Sequence, residues 1–166
     1  MPSFEVPLNG LGGTYLALID EADRELVESR GCWYAHQSGS GIGKIYAARY
    51  DQGKRTTMHR LLCPADTLDI DHINGNTLDN RRENLRPAFR SQNQANQRHA
   101  RGKSGFKGVF PTKGERWMAS IGYQYKLIYL GTFGSPEEAA RAYDKKAIEL
   151  HGDFACTNEM LGKFNG

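Results

Sequence analysis

The apolar residues of the second half of the chain change period partway along. Trp117, Ala119 and Ile121 alternate with polar or small residues, as on a strand with one buried face, and Leu127 to Phe133 forms a second run of strand type. Phe106-Lys107-Gly108-Val109-Phe110 precedes them as a third, with Gly114 and residues 122–126 as the connections. Ala139, Ala140, Ala142, Tyr143, Ala147 and Ile148 then recur at helical spacing. Ser135-Pro136-Glu137-Glu138 supplies a cap, a proline at the first helical position and a returning glutamate, and Gly152 supplies a stop, so a helix to about Leu150 is expected.

The first half carries shorter signals. Phe4 to Leu8, Tyr15 to Ile19, Trp33 to His36 and Ile45 to Tyr50 read as strands, with a helix between Asp20 and Arg30 ended by Gly31. Asp20, Glu21, Asp23 and Glu25 suit the positive end of that helix electrostatically. Gly39 to Gly43 reads as a hairpin loop and does not follow a phosphate-loop pattern. Further on, Leu68 to Asp71 reads as a strand ending at Asp71-His72, and Asn74-Gly75 as a tight turn. After an excursion from Leu78 to Glu83, Asn84-Leu85-Arg86 returns beside that strand, and Pro87 closes it. Ser91 caps a helix from Gln92 to about His99, with Gln94 completing the box and Asn93 in the first turn.

This order of strand, loop, strand and helix brings Asp71, His72, Asn84 and Asn93 to one place. A carboxylate and an amide oxygen are hard donors, suited to a hydrated magnesium or manganese ion and poor as a zinc cage. Cys32, Cys63 and Cys156 lie far apart with no CxxC pair, so neither a zinc site nor a disulfide framework is suggested. A neutral histidine beside such an ion can take a proton from water near neutral pH, while the ion neutralises charge on a phosphate. Phosphodiester hydrolysis needs both. Taken singly, Asp71 has an ordinary use in a turn and Asn93 at a helix start, and His59 beside Arg60 reads as a packed scaffold residue. It is the joint order and spacing of the set that favours a nuclease site.

Charge adds a partner. Residues 1–70 hold seven Lys and Arg against nine Asp and Glu, a net of −2, while residues 71–166 hold fifteen against ten, a net of +5. Between Arg81 and Arg116 there are ten basic residues and two acidic ones. A cationic stretch beside a candidate phosphodiester site is what counterion release from DNA exploits. Arg81, Arg82 and Arg86 within it are candidate DNA contacts, and double-stranded DNA is the expected partner.

The segments Asp71-His72-Ile73-Asn74-Gly75-Asn76, Leu78-Asp79-Asn80-Arg81, Glu83-Asn84-Leu85-Arg86, Gln92-Asn93 and Asn96 resemble the HNH homing endonucleases of phages and mobile introns, and Met58-His59-Arg60-Leu61-Leu62 is similar to the same branch. The likeness covers roughly residues 55–99. It implies a ββα-metal site in which Asp71 and Asn93 bind one divalent ion, His72 is the general base and Asn84 holds the His72 loop. The ion would be magnesium, with manganese as its substitute and no zinc. Asn93 stands where many members have histidine, as in the homing branch, where nicking of one strand is common. Asn96, one helical turn on, is the alternative ligand. Similar openings in this branch make residues 1–57 a β-rich platform for the hairpin.

Phe106-Lys107-Gly108-Val109, Arg116-Trp117-Met118-Ala119, Tyr129-Leu130-Gly131-Thr132-Phe133 and the run Glu137 to Asp144 with Ala147 resemble the plant ethylene-response-factor, or Apetala-two, DNA-binding domain over about residues 104–158. The resemblance implies a three-stranded sheet laid in the major groove with the helix behind it. Lys107, Arg116, Lys126 and Tyr129 on the exposed face would then reach phosphates or base edges. Arginines of the plant pattern are replaced here by Phe110, Gly122 and Leu127. The plant domain's sequence preference therefore does not transfer.

A chain of 166 residues with 39% apolar composition can hold two small packed units. The expected fold class is α+β: a β-rich platform with the ββα-metal motif (about 68–99) in a nuclease domain 1–97, a linker 98–104, a small three-stranded antiparallel sheet packed on one helix at 105–158, and a tail 159–166. No long apolar run suggests a membrane partner, and the spaced cysteines fit a reducing, cytoplasmic setting in a bacterial or phage-infected cell. Monomer and homodimer both remain open. The expected activity is metal-dependent DNA cleavage of the homing type. The alternative is a sequence-specific DNA-binding regulator that keeps the nuclease motif only as a fold.

Overall fold

The computed structural model describes residues 2–39, 43–98 and 103–164. The chain divides into two compact units, Met1–Phe89 and Arg90–Gly166. The expected Gly39 to Gly43 loop and the linker 98–104 fall partly outside the described residues, and the helix expected to run to about His99 ends at Ala95. No described helix is long and apolar enough to cross a membrane.

The first unit is built from small antiparallel sheets. Strands β1 (Ser3–Leu8) and β2 (Tyr15–Asp20) form one hairpin, and β3 (Tyr34–Gln37), β4 (Ile45–Asp51) and β5 (Lys54–Thr57) form a three-stranded sheet. Alternation along β1 and β2 sends Val6, Leu8, Ala17 and Ile19 inward, where they join Val27, Trp33, Ala47, Met58 and Leu62 in the core. Trp33 reaches that core at the cost of burying its indole N–H, which is satisfied by the Val27 carbonyl at 3.0 Å.

Between Asp20 and Arg30 the chain makes a single 3-10 turn and then a short helix α1 (Arg24–Glu28), rather than one continuous helix. The acids expected to serve the helix end do something else. Asp20 accepts the Arg82 backbone N–H at 2.8 Å, and Asp23 takes both prongs of the Arg82 guanidinium at 2.8 Å each. A second helix α2 (Met58–Leu62), five residues long, follows β5 and buries Met58, His59 and Leu62.

Strands β6 (Asp69–His72) and β7 (Leu85–Ala88) pair with Asp71 opposite Arg86 and His72 opposite Leu85. Pro87 lies inside β7 opposite Ile70 rather than ending the strand. A two-stranded sheet has edges that do not require its missing donor. The connection is a long loop, not a tight turn: Gly75 has φ +73° and Asn74 does not share a positive φ. The helix that follows, α3, spans Arg90–Ala95, so Ser91 is a helical residue and not a cap. It falls in the second unit.

In the second unit β8 (Val109–Pro111), β9 (Trp117–Tyr123) and β10 (Lys126–Phe133) form an antiparallel sheet in the order β10-β9-β8. Helix α4 (Pro136–His151) covers one face. Its Ala139, Ala140, Tyr143 and Ala147 pack with Val109, Ala119 and Ile121. The expected cap forms, with the Ser135 hydroxyl accepting the Glu138 N–H at 3.2 Å and Glu138 accepting the Gly134 N–H at 3.2 Å.

The first strand begins at Val109, not Phe106, because the chain at Gly108 turns through φ +74° against the Tyr143 ring. After α4 the chain returns to Asn158, which is fully buried. Its side chain accepts the Lys107 N–H at 2.6 Å and donates to the Lys107 carbonyl at 3.2 Å and to Asp144 at 2.8 Å. Phe164, in the expected tail, stacks on Phe106 with ring centres 5.4 Å apart.

Candidate active site

The platform fixes the loop that carries the candidate chemistry. The edge of β2 bonds to it twice, Leu18 N–H to the Leu78 carbonyl at 2.8 Å and Asn80 N–H to the Leu18 carbonyl at 2.7 Å. Within the loop, Asn84 accepts the Asn74 N–H at 2.9 Å and donates to the Asp79 carbonyl at 2.7 Å, tying the segment after His72 to the start of β7. Asp79 accepts from Asn74 at 2.7 Å and from two nitrogens of Arg81 at 2.9 and 2.7 Å. The Arg81 guanidinium holds the Asp79 carboxyl below the usual carboxylate range.

Asp71 and His72 follow one another on β6 and are both buried. Asp71 Oδ2 accepts Nε and Nη2 of Arg86 at 2.9 and 2.8 Å, a charge-assisted pair within the protein. His72 Nε2 faces Asn80 Oδ1 at 3.4 Å. Asn80 has its amide nitrogen donating to the Leu78 carbonyl at 3.1 Å, which orients the oxygen toward the histidine. An acceptor there selects the His72 tautomer with its proton on Nε2 and leaves Nδ1 as the basic nitrogen.

Burial pushes the His72 pKa below its ordinary value, against the Asn80 hydrogen bond and the Asp71 and Asp79 charges, with Lys44 adding to the depression. The ring is therefore neutral at pH 7. His59 lies edge-on to it with ring centres 5.2 Å apart, and Tyr46 contacts both rings, at 5.5 Å from His59 and 6.2 Å from His72. Burial, the neighbouring His72 and Arg60 together lower the His59 pKa to about 3. Its Nε2 pairs with the Thr57 hydroxyl at 3.0 Å, the hydrogen-bonded scaffold arrangement expected for this residue.

The structure thus gathers Asp71, His72 and Asn84 in the first unit together with residues the sequence reading did not select: Asn80, His59 and Tyr46. Tyr46 is visible in the sequence only as one member of a strand, and Asn80 only as one amide in a polar loop. The direction of its amide depends on a carbonyl two residues back. Asn93 and Asn96 lie at α3 in the second unit. Among the described residues no three of His, Cys, Asp and Glu gather as a metal cluster. A hard ion that keeps its waters needs no such cluster, and the buried Asp71 carboxylate suits one.

Most of the expected DNA contacts have partners within the protein. Arg81 is paired with Asp79 and Glu83, Arg82 with Asp23 and the Leu62 carbonyl, and Arg86 with Asp71. These guanidinium groups brace the loop from within the first unit. Lys107 precedes β8, and its ammonium donates to the Ala95 and Cys156 carbonyls at 2.7 and 3.2 Å. Burial pushes its pKa down. Lys126 is exposed at the β9–β10 turn, opposite Tyr123 and on the parity of the core-facing Ile121, so it belongs to the α4 side of the sheet and not to the open face. Tyr129 is on the open face, 61% exposed. Arg116 is exposed just before β9 and donates to the Thr132 carbonyl at 3.2 Å.

Two family models match the chain: an HNH endonuclease over residues 62–95 and an AP2 domain over residues 104–153. A protein of Acanthamoeba polyphaga mimivirus described as an uncharacterized HNH endonuclease is 30% identical over 146 residues, covering 83% of this chain and 72% of that protein. The APETALA2-like protein 2 of Oryza sativa subsp. indica is 47% identical over 68 residues, 40% of this chain and 16% of that protein. The AP2-like ethylene-responsive transcription factor ANT of Arabidopsis thaliana is 48% identical over 69 residues, 40% of this chain and 12% of that protein. These two plant proteins are matched over 40% of this chain, while the viral relative is matched along most of its length.

Proposed function

The chain belongs to the HNH endonuclease family and carries an AP2 domain behind its nuclease unit, and from that premise we propose that it hydrolyses phosphodiester bonds in double-stranded DNA with a histidine base and one divalent ion. The observation that carries the reading is the state of His72: buried, neutral at pH 7, and held at Nε2 by Asn80 so that Nδ1 is the nitrogen that accepts a proton from water. Asp71, adjacent on β6, is the anionic ligand for the ion, and the sequence pattern proposes Asn93, or Asn96, as the amide ligand. Bound there, magnesium or manganese would supply charge neutralisation at the phosphate and the departing 3′ oxygen. Asn84 holds the loop through Asn74 and Asp79 so that His72 keeps its place. The AP2 unit grips the duplex, and the homing character extends the reading to a site in a host genome.

Incubation with supercoiled plasmid and with host genomic DNA, under magnesium, manganese or chelator, tests it. Metal-dependent relaxed or linear product is expected, lost in Asp71→Ala and in His72→Ala while DNA affinity stays within a few-fold. Retained turnover in His72→Ala would sink the assignment. A second reading, a DNA-binding regulator without cleavage, is favoured by the Arg86 guanidinium on the Asp71 carboxylate, which competes with a cation for the same oxygen. Tight binding to genomic sites with no product under either metal would select it.

A further inference from the structure

The AP2 unit has one sheet face covered by α4 and one left open. Strand register puts Phe110, Met118 and Thr132 in one row across the open face, then Ser120 with Tyr129, then Gly122 with Leu127. Leu127 is 74% exposed, Tyr129 61% and Phe110 36%. No carboxylate occupies these register positions. Cations stand at one end of the face instead, Lys113 and Arg116, with Glu115 the acid among them. The outward side of α4 is different, mixing exposed Glu137, Glu138 and Glu149 with Arg141 and Lys145. Of the two, only the open sheet face complements a polyanion. Three strands about 4.8 Å apart span about 10 Å, within the roughly 12 Å width of a major groove.

A neutral, apolar centre cannot form the bidentate bonds by which arginine reads guanine, and what it can contact in a major groove is the thymine C5-methyl group. We propose that the open face of β8, β9 and β10 reads A·T-rich duplex DNA through apolar contact of Leu127, Phe110 and Met118 with thymine methyls, while Lys113 and Arg116 meet the flanking phosphates. This rests on the DNA-binding reading above but not on cleavage.

The test is equilibrium binding of the full chain, in chelator, to alternating A·T duplexes containing either thymine or deoxyuridine, and to G·C duplexes containing either cytosine or 5-methylcytosine. Removing the thymine methyls is expected to weaken binding at least about fourfold, the factor corresponding to burial of a single methyl group. Methylating cytosine is expected to strengthen it. Leu127→Arg, at a position exposed enough to leave folding intact by circular dichroism, should lose the thymine preference and keep its salt-dependent affinity. Equal affinity for thymine and deoxyuridine duplexes would overturn the proposal while leaving DNA binding standing, and undiminished discrimination in Leu127→Arg would overturn the assignment to this face. No binding to any duplex would overturn the DNA-binding reading itself.

Discussion

Asn80 turns its carbonyl oxygen to within 3.4 Å of His72 Nε2 because its own amide nitrogen is engaged by the Leu78 carbonyl. The β2 edge holds the same residue by its backbone N–H. Strand β2 of the platform, the loop and the candidate base are therefore linked through one buried amide. Asn80→Ala should lower the single-turnover nicking rate about 10- to 100-fold, as loss of a histidine-orienting partner does, with DNA affinity within about twofold. Asn80→Asp, which keeps an acceptor, should retain more activity than Asn80→Ala. Unchanged nicking by the alanine variant would remove the tautomer argument.

Arg86 is paired with Asp71 where both side chains are shielded from water. Arg86→Ala should lower stability, by up to about 3 kcal/mol, because it removes a forked ion pair from a buried carboxylate. Magnesium should then raise the Tm of this variant by more than it raises that of the parent, since the ion no longer competes with a guanidinium. Calorimetric titration with magnesium checks this, and equal shifts would count against Asp71 as the ligand.

His59 is held neutral, with its pKa lowered to about 3 by burial and by His72 and Arg60. The unfolded chain binds a proton at this side chain below about pH 6.5, and the folded one does not until about pH 3. Stability should therefore be fully present above pH 6.5 and fall on acidification toward pH 3, by up to about 1.4 kcal/mol per pH unit from this group. Urea unfolding between pH 4.5 and 7.5 measures the slope, and His59→Gln should flatten it.

Gly108 lies against Tyr143 so closely that an added Cβ would come within 2.0 Å of the ring, and its φ is +74°. Gly108→Ala should destabilise the second unit by at least about 2 kcal/mol through overpacking and backbone strain. A lowered Tm together with weakened duplex binding is expected. A Tm equal to that of the parent would mean that this packing is not maintained in solution.

Much of the second unit is legible in the sequence because its signals are local. The Ser135 cap, the proline after it and the spacing of Ala139, Ala140, Tyr143 and Ala147 all act within one helix. The start of β8 was not legible, since the Gly108 turn is set by Tyr143, 35 positions on. The β9–β10 turn falls within the expected connection 122–126, but its backbone was not legible, since Gln124 and Tyr125 adopt φ of 47° and 63° without the glycine or asparagine that usually marks such a hairpin. In the first unit, Asp71-His72 and the Asn84 loop stand out through spacing. The partners of Arg81, Arg82 and Arg86 do not: a basic run looks the same whether its charges face solvent or internal carboxylates, and Asp23 lies 59 residues from Arg82.

Asn158 clasps the backbone of Lys107 on one side and Asp144 on the other, so the strand-and-helix module begins and finishes at a shared point. A module fastened where its two connections meet can be spliced into an unrelated chain without stretching either neighbour. The same architecture then serves as one movable cassette among others, coupled here to a nuclease unit and matched in plant proteins of which it makes up 16% or less.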